Sequence, residues 1–292
     1  MPGRARAALL GACALWAVSF VATKVALRST PALAVVALRL AISAACFAAW
    51  LGVVGWGRRR KARVWLELAG LSLLGTGLHY GIQTVGLQYT TAANASLYAI
   101  TGPVTIALLG WALLGERLSR RKVAGIATAA LGVLAVLGGD TLARADLGRR
   151  VLGDLLVLVS IVLWGAFTVF GKRLTDELGA LRTIAAVTIV GALWTAPAGW
   201  WAMAARGISP ADLPLAAWAA IAFLGVGCSF LATLLYFVGL ELSESQKVGV
   251  YLYTIPPMTA AVSVAFLGER LTPGLVAGSA LVFAGVALTE RG

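Results

Sequence analysis

Apolar stretches of about 20 residues, separated by short polar connections, fill almost the whole chain. Ten of them can be drawn, at 8–27, 32–56, 64–87, 92–114, 121–139, 151–171, 182–203, 214–238, 245–267 and 273–290. A helix rises about 1.5 Å per residue, so roughly 20 apolar residues cross the hydrocarbon core of a bilayer. None of the runs shows the polar–apolar alternation that a spanning barrel strand requires. The pattern therefore predicts an all-α membrane protein with ten transmembrane helices. Turn residues punctuate it: Ser29-Thr30-Pro31 parts the first two spans, Ser209-Pro210 and Pro214 precede the eighth, and Thr272-Pro273 opens the tenth as cap and first-turn proline. The longest polar stretch, residues 138–153, carries Asp140, Arg144, Asp146, Arg149 and Arg150. It reads as a connection at 140–150 between a first unit, 1–139, and a second, 151–292, of five helices each. Arg4 and Arg6 before an apolar run imitate a signal peptide, but another span follows at once, so the run is read as an uncleaved first helix.

Composition sharpens this reading. Apolar residues make up 60% of the chain and charged residues 12%, with a mean hydropathy of +0.90. Soluble domains carry about 25% charged residues, so the bilayer must serve as part of the solvent. The net charge of +12 falls between the spans rather than on one basic face, which argues for a membrane and against nucleic acid. With the N-terminus inside, 16 Lys and Arg lie on the cytoplasmic side and 7 opposite, leaving out Arg39 within the second span. That asymmetry predicts cytoplasmic N- and C-termini. Most tryptophans stand near span ends, where an amphipathic ring suits the interface; Trp16 and Trp164 do not. Cys13, Cys46 and Cys228 have no metal-type spacing and read as small core residues.

The sharpest signal is self-similarity. Gly115-Glu116-Arg117-Leu118 recurs as Gly268-Glu269-Arg270-Leu271, an offset of 153. The same offset pairs Gly86 with Gly239, Tyr98 with Tyr251, Thr101 with Thr254, Pro103 with Pro256, Gly125 with Gly278 and Gly132 with Gly285. Leu15-Trp16 and Lys24 match Leu163-Trp164 and Lys172 at an offset of 148. A unit of five helices is odd-numbered, so its second copy enters the membrane from the opposite side. That arrangement is the inverted repeat of secondary transporters, with a solute site near the midplane. The repeated Leu-Trp pairs, and the proline followed by Gly-Glu-Arg-Leu around the fourth helix of each half, resemble the drug/metabolite transporter superfamily, in particular its ten-helix EamA-type exporters. The resemblance covers nearly the whole chain. It implies a secondary transporter that exports amino acids or related metabolites by alternating access.

Polar side chains within the spans mark candidate chemistry. His79, Tyr80 and Gln83 stand on the third span, Tyr98 and Thr101 on the fourth, and Tyr251 and Thr254 in register on the ninth. Trp16 and Trp164 come from the first and sixth. Together they suggest a central aromatic-lined cavity for a small amphipathic solute, in which rings attract an ammonium and amides and hydroxyls meet a carboxylate. Each hydroxyl also has a plain reading as inter-helix hydrogen bonding worth about 0.6–2 kcal/mol. Pro103, Pro256 and Pro257 are candidate hinges. The paired glycines read as close-packing seams. Lys24 and Lys172 are expected to snorkel, Glu116 and Glu269 to pair locally, and Arg39 to face a carbonyl, water or the cavity. No carboxylate falls mid-span, which leaves His79 as the titratable candidate and favours facilitated diffusion or exchange over proton coupling. There is no phosphate-binding Gly-x-x-x-x-Gly-Lys-Ser/Thr loop and no nucleophile–base–acid set. The expectation is therefore a non-enzyme without cofactor or metal, whose partners are a small-molecule solute and membrane lipid, in a bacterial inner membrane. Oligomeric state stays open. Competing readings are an organic-anion or sugar-phosphate exchanger, drawing on Lys24, Arg39, Lys172 and Lys247, and a membrane-embedded enzyme or sensor.

Overall fold

The computed structural model describes residues 2–56, 61–115, 117–139, 147–242 and 251–291. Glu116, Lys247 and residues 140–146 of the predicted connection lie outside them. Within the described residues the chain is helical and contains no strand. Its spans are α1 (Gly3–Leu27), α2 (Ala32–Val54), α3 (62–87), α4 (92–114), α5 (Arg120–Gly139), α6 (Leu147–Leu178), α7 (Ala180–Ala204), α8 (215–241), α9 (Ile255–Leu267) and α10 (Pro273–Glu290). Five helices are long and apolar enough to cross a membrane by themselves, and α4 makes a sixth as a bent pair. The sixth span is longer than its apolar run: α6 begins at Leu147, so residues 147–150 are helix rather than connection. Large apolar side chains such as Leu215, which is 85% exposed, cover the outer surface. Only a lipid environment accommodates so many of them.

The repeat is visible in the backbone. Proline has no N–H to donate and its ring crowds the carbonyl four residues back. Pro103 therefore breaks α4 between Ala92–Ala99 and Gly102–Leu114, with a bend of 42°. The Thr101 hydroxyl turns back and donates to Tyr98 O at 2.7 Å, a carbonyl that also accepts from Thr101 N at 3.0 Å. Thr254 makes the same bond to Tyr251 O at 2.7 Å, ahead of Pro256. Both segments then stop at a left-handed glycine, Gly115 (φ 68°) and Gly268 (φ 67°), a conformation that side chains resist. α3 and α8 share a second irregularity, π-helical turns at Leu73–Leu78 and Phe223–Leu231.

Close packing of glycine fixes the helix pairs. α5 and α10 meet along Gly125, Gly132, Gly278 and Gly285, so the seam lies within one chain. A Cβ at Gly125 would sit 2.6 Å from the carbonyl oxygen of Gly285, and one at Gly132 would sit 2.8 Å from that of Gly278. α3 and α6 meet similarly: Cβ atoms at Gly86 and Gly153 would each stand 2.8 Å from the other's carbonyl oxygen. Bare backbones approach closely here because lipid supplies no hydrophobic drive and dispersion must hold the helices together. Substituting Gly285→Ala should lower stability by about 1–3 kcal/mol through overpacking. Gly70→Ala, with nothing within 4 Å of its Cβ, should not destabilise. Thermal unfolding in detergent measures both, and an unchanged midpoint for Gly285→Ala would contradict the seam.

Candidate functional site

A π turn inserts an extra residue and re-aims the side chains that follow it. In α3 the residues that follow are His79 and Tyr80. Gly75 lies inside this turn and lets the Phe167 ring of α6 press against the backbone; a Cβ there would stand 2.6 Å from Phe167 Cγ. His79 is buried, and its Nδ1 lies 2.7 Å from the Ser160 carbonyl oxygen. A carbonyl only accepts, so Nδ1 carries the donated hydrogen. The imidazole centroid is 4.9 Å from Tyr80 and 5.2 Å from Trp164, which in turn lies 5.0 Å from Phe167. The Arg39 guanidinium of α2 stands 4.4 Å over the Tyr80 ring and donates through Nε to Ser229 Oγ at 2.7 Å. Ser229 belongs to the π turn of α8. Its neighbour Cys228 offers its carbonyl oxygen to Trp16 Nε1 at 3.1 Å, and Trp16 packs against Tyr236 at 5.3 Å.

The structure thus draws together His79, Tyr80 and Trp164, and reaches Trp16 through Arg39 and the α8 π turn. Gln83 follows one turn along α3 and is half-buried. The remaining predicted residues serve the helix breaks. Tyr98 is fully buried, in the same core cluster as Trp16 and Tyr251. The Thr101 and Thr254 hydroxyls donate to carbonyls of their own helices. The Tyr251 carbonyl also accepts from Cys13 Sγ at 3.3 Å. Pro103, Pro256 and Pro257 each stand in the first turn after a break.

A polar network at one end of the bundle was not anticipated. Lys24 Nζ donates to the carbonyl oxygens of Leu87 (3.1 Å) and Thr90 (2.5 Å), so it is tied to the α3–α4 turn rather than snorkelling. Thr90 Oγ1 donates to Asp154 Oδ1, and Asn94 and Tyr98 are also within reach of that carboxylate. Asp154 is only 2% exposed. Glu269 does not pair locally; its two oxygens accept from the amides of Ala92 (2.8 Å) and Ala93 (3.2 Å), capping α4. The negative charge there meets the unsatisfied N–H groups and the positive dipole end of the helix. Beside these groups lies a cavity of about 420 Å³ lined by Lys24, Arg28, Arg150, Glu269 and Arg270 among others. At the opposite end, exposed Arg173 bridges α6 to Glu67 of α3, and Glu67 also pairs with Arg63 at 2.8 Å.

Two repeats, broken fourth and ninth helices and a buried aromatic–cationic cluster define an α-helical membrane carrier. The EamA-like transporter family matches residues 4–138 and 151–291, and the chain belongs to that family. An "uncharacterized transporter" of Archaeoglobus fulgidus is 29% identical over 94% of this chain and 93% of its own length. YvbV of Bacillus subtilis, also named an uncharacterized transporter, is 29% identical over 94% of this chain and 88% of its own. A "probable terminal-alkyne amino-acid exporter" of Streptantibioticus cattleyicolor is 27% identical over 94% and 90% respectively. One crystal structure shares the fold at a TM-score of 0.65 and 24% identity, covering 99% of this chain and 96% of its own. The protein is accordingly a membrane transporter of the drug/metabolite type.

The network at the Lys24 end is open to direct test. Thr90→Val removes the hydroxyl that faces a buried carboxylate, where a bond to a charged group is worth about 1.5–3 kcal/mol. Thermal unfolding should show a loss of that order. Thr128→Val, whose exposed hydroxyl bonds Ala124 O at 2.8 Å, should change little. Equal effects would mean that Thr90 does not hold Asp154.

Proposed function

We propose that the protein exports small amphipathic metabolites of the amino-acid class by alternating access, with His79, Tyr80, Gln83, Trp16 and Trp164 along the solute path. The observation that carries this reading is the ring stack of His79, Tyr80 and Trp164 beside the π turn of α3. Aromatic faces offer apolar contact and attract an ammonium with about 0.5–2 kcal/mol. The relative named as an amino-acid exporter supports the same class. Pro103 and Pro256-Pro257 mark the breaks about which α4 and α9 pivot. Transport runs down the solute gradient or by exchange, with His79 as a hydrogen-bonding residue. Organic-anion exchange is the second reading, favoured by the Arg39 cation inside the cluster.

Solute flux in proteoliposomes tests these statements together. Trp164→Ala should cut the rate about tenfold, the loss of a strong ring contact. Trp200→Ala, 70% exposed to lipid, should leave it within about twofold. An imposed pH gradient should not drive accumulation, and His79→Gln should keep partial activity because an amide replaces one imidazole hydrogen bond. Equal losses at both tryptophans count against the path. Accumulation that follows the pH gradient and disappears in His79→Gln or Asp154→Asn would overturn the gradient-driven reading and assign the coupling to that residue.

The excess of Lys and Arg on one side, 16 against 7, supports cytoplasmic N- and C-termini in a bacterial plasma membrane. Reporter fusions at each end should both give a cytoplasmic signal; a periplasmic signal from either end reverses the assignment.

A further inference from the structure

We propose that Arg39 is the binding site for the anionic group of the solute, taking a carboxylate on its guanidinium fork between the two aromatic groups. The proposal rests on the export reading above and adds to it the chemistry that the solute must carry.

Arg39 stands seven residues into α2, about 10 Å along the helix from its first residue, and is only 7% exposed. A charge at such a position costs about 2.5–3.5 kcal/mol on insertion scales and is retained where it has work to do. Its partners in the protein do not neutralise it. Nε donates to the Ser229 hydroxyl, and the Tyr80 ring lies against the guanidinium face. Among the described residues no carboxylate pairs with it. The hydrogen bond to Ser229 engages Nε and leaves the two Nη nitrogens, the fork itself, to other partners. The contact with the Tyr80 ring and the bond to Ser229 hold the group in place. A preset planar fork is the geometry that binds a carboxylate through two parallel bonds.

The internal repeat shows that the fold does not require this charge. Ser229 stands 153 residues after Thr76, the repeat offset, and both lie in π turns. Thr76 faces Gly191 of α7, where a Cβ would lie 2.8 Å from Thr76 Cβ. Ser229 faces Arg39 of α2. Both crossings are closed by a glycine, Gly191 against Thr76 and Gly225 against Ile42, and only the second also carries a buried cation. A group that packing does not demand, and that no protein anion meets, points to an anion from outside the protein. The neighbours complete the site. Tyr80 leads to His79 and Trp164, and Ser229 leads through Cys228 to Trp16 and Tyr236. A solute whose carboxylate sits on Arg39 has its apolar part against these rings. Its ammonium is kept away from Arg39 by like charge and toward the Trp164 face.

The test compares phenylalanine, leucine and threonine with their amides, which keep the side chain and ammonium but lose the carboxylate charge. Binding to the purified protein is measured by calorimetry and flux is measured in proteoliposomes. For the amino acids that wild type carries, we expect the free acid to be favoured about tenfold to a hundredfold over its amide. Arg39→Gln should lower binding of the acid by a similar factor and leave the amide nearly unchanged, so that the preference collapses. Arg39→Lys, which keeps the charge without the planar fork, should fall between the two. It also serves as the reporter if Arg39→Gln fails to fold. A wild type that treats acid and amide alike overturns the Arg39 assignment and leaves the export reading standing, as does a preference that survives both substitutions. A wild type that carries none of the six probes counts against the amino-acid reading itself, and the anchor falls with it.

Discussion

Inside a bilayer an unpaired N–H or C=O finds no water, and the architecture follows from that single constraint. It makes every span a helix, because only a helix satisfies its backbone internally. It also dictates how the helices are broken. Pro103 cannot donate to the carbonyl four residues back, so α4 stops and restarts, and at the break the Thr101 amide and hydroxyl both turn onto the Tyr98 carbonyl. Thr254 repeats the repair at Tyr251. Glu269 answers for the amides that α4 leaves open at its start, reaching them from the far end of the other repeat. Each helix break is therefore marked by a threonine whose hydroxyl bonds back onto its own helix.

The same constraint decides how each helix pair is held. α5 and α10 press bare backbone against backbone along four glycines, a contact that tolerates no sliding without loss of its dispersion energy. α4 and α9 are held differently, by a shared apolar core and by the Glu269 carboxylate on the amides of Ala92 and Ala93. That carboxylate contact exchanges partners at lower cost than an interdigitated seam, since a released carboxylate can be re-satisfied by water. Both pairs join equivalent helices of the two repeats.

Much of this was legible in the sequence, because it is encoded locally or by repetition. The spans follow from runs of apolar residues. The Thr-Gly-Pro and Thr-Ile-Pro breaks and the Gly-Glu-Arg-Leu ends recur at a fixed offset of 153, and the structure gives them matching backbone angles and hydrogen bonds. The glycine pairs of α5 and α10 were likewise visible as a repeat. What was hidden depends on contacts across the chain. Asp154 stands at the edge of a polar stretch, where a carboxylate reads as solvent-facing, yet Thr90 covers it from 64 residues away. Glu269 meets amides 177 and 176 residues distant. The π turns that aim His79 and Ser229 have no compositional mark, so neither the ring stack nor its junction with Arg39 could be read from spacing. Tyr98 shows the limit of pattern most plainly. Its place on a polar stripe suggested a lining residue, and the same stripe turns inward to the Asp154 network.

The network also breaks the symmetry that the sequence implies. Lys24 and Lys172 are repeat counterparts, and in an inverted repeat they stand at opposite ends of the bundle. Lys24 is fastened to two carbonyls of the α3–α4 turn, beside Asp154 and Glu269. Lys172 is exposed. Lys24, Thr90, Asp154 and Glu269 draw α1, α3, α4, α6 and the end of α9 together at one end of the bundle, through bonds that join residues 63 to 177 positions apart.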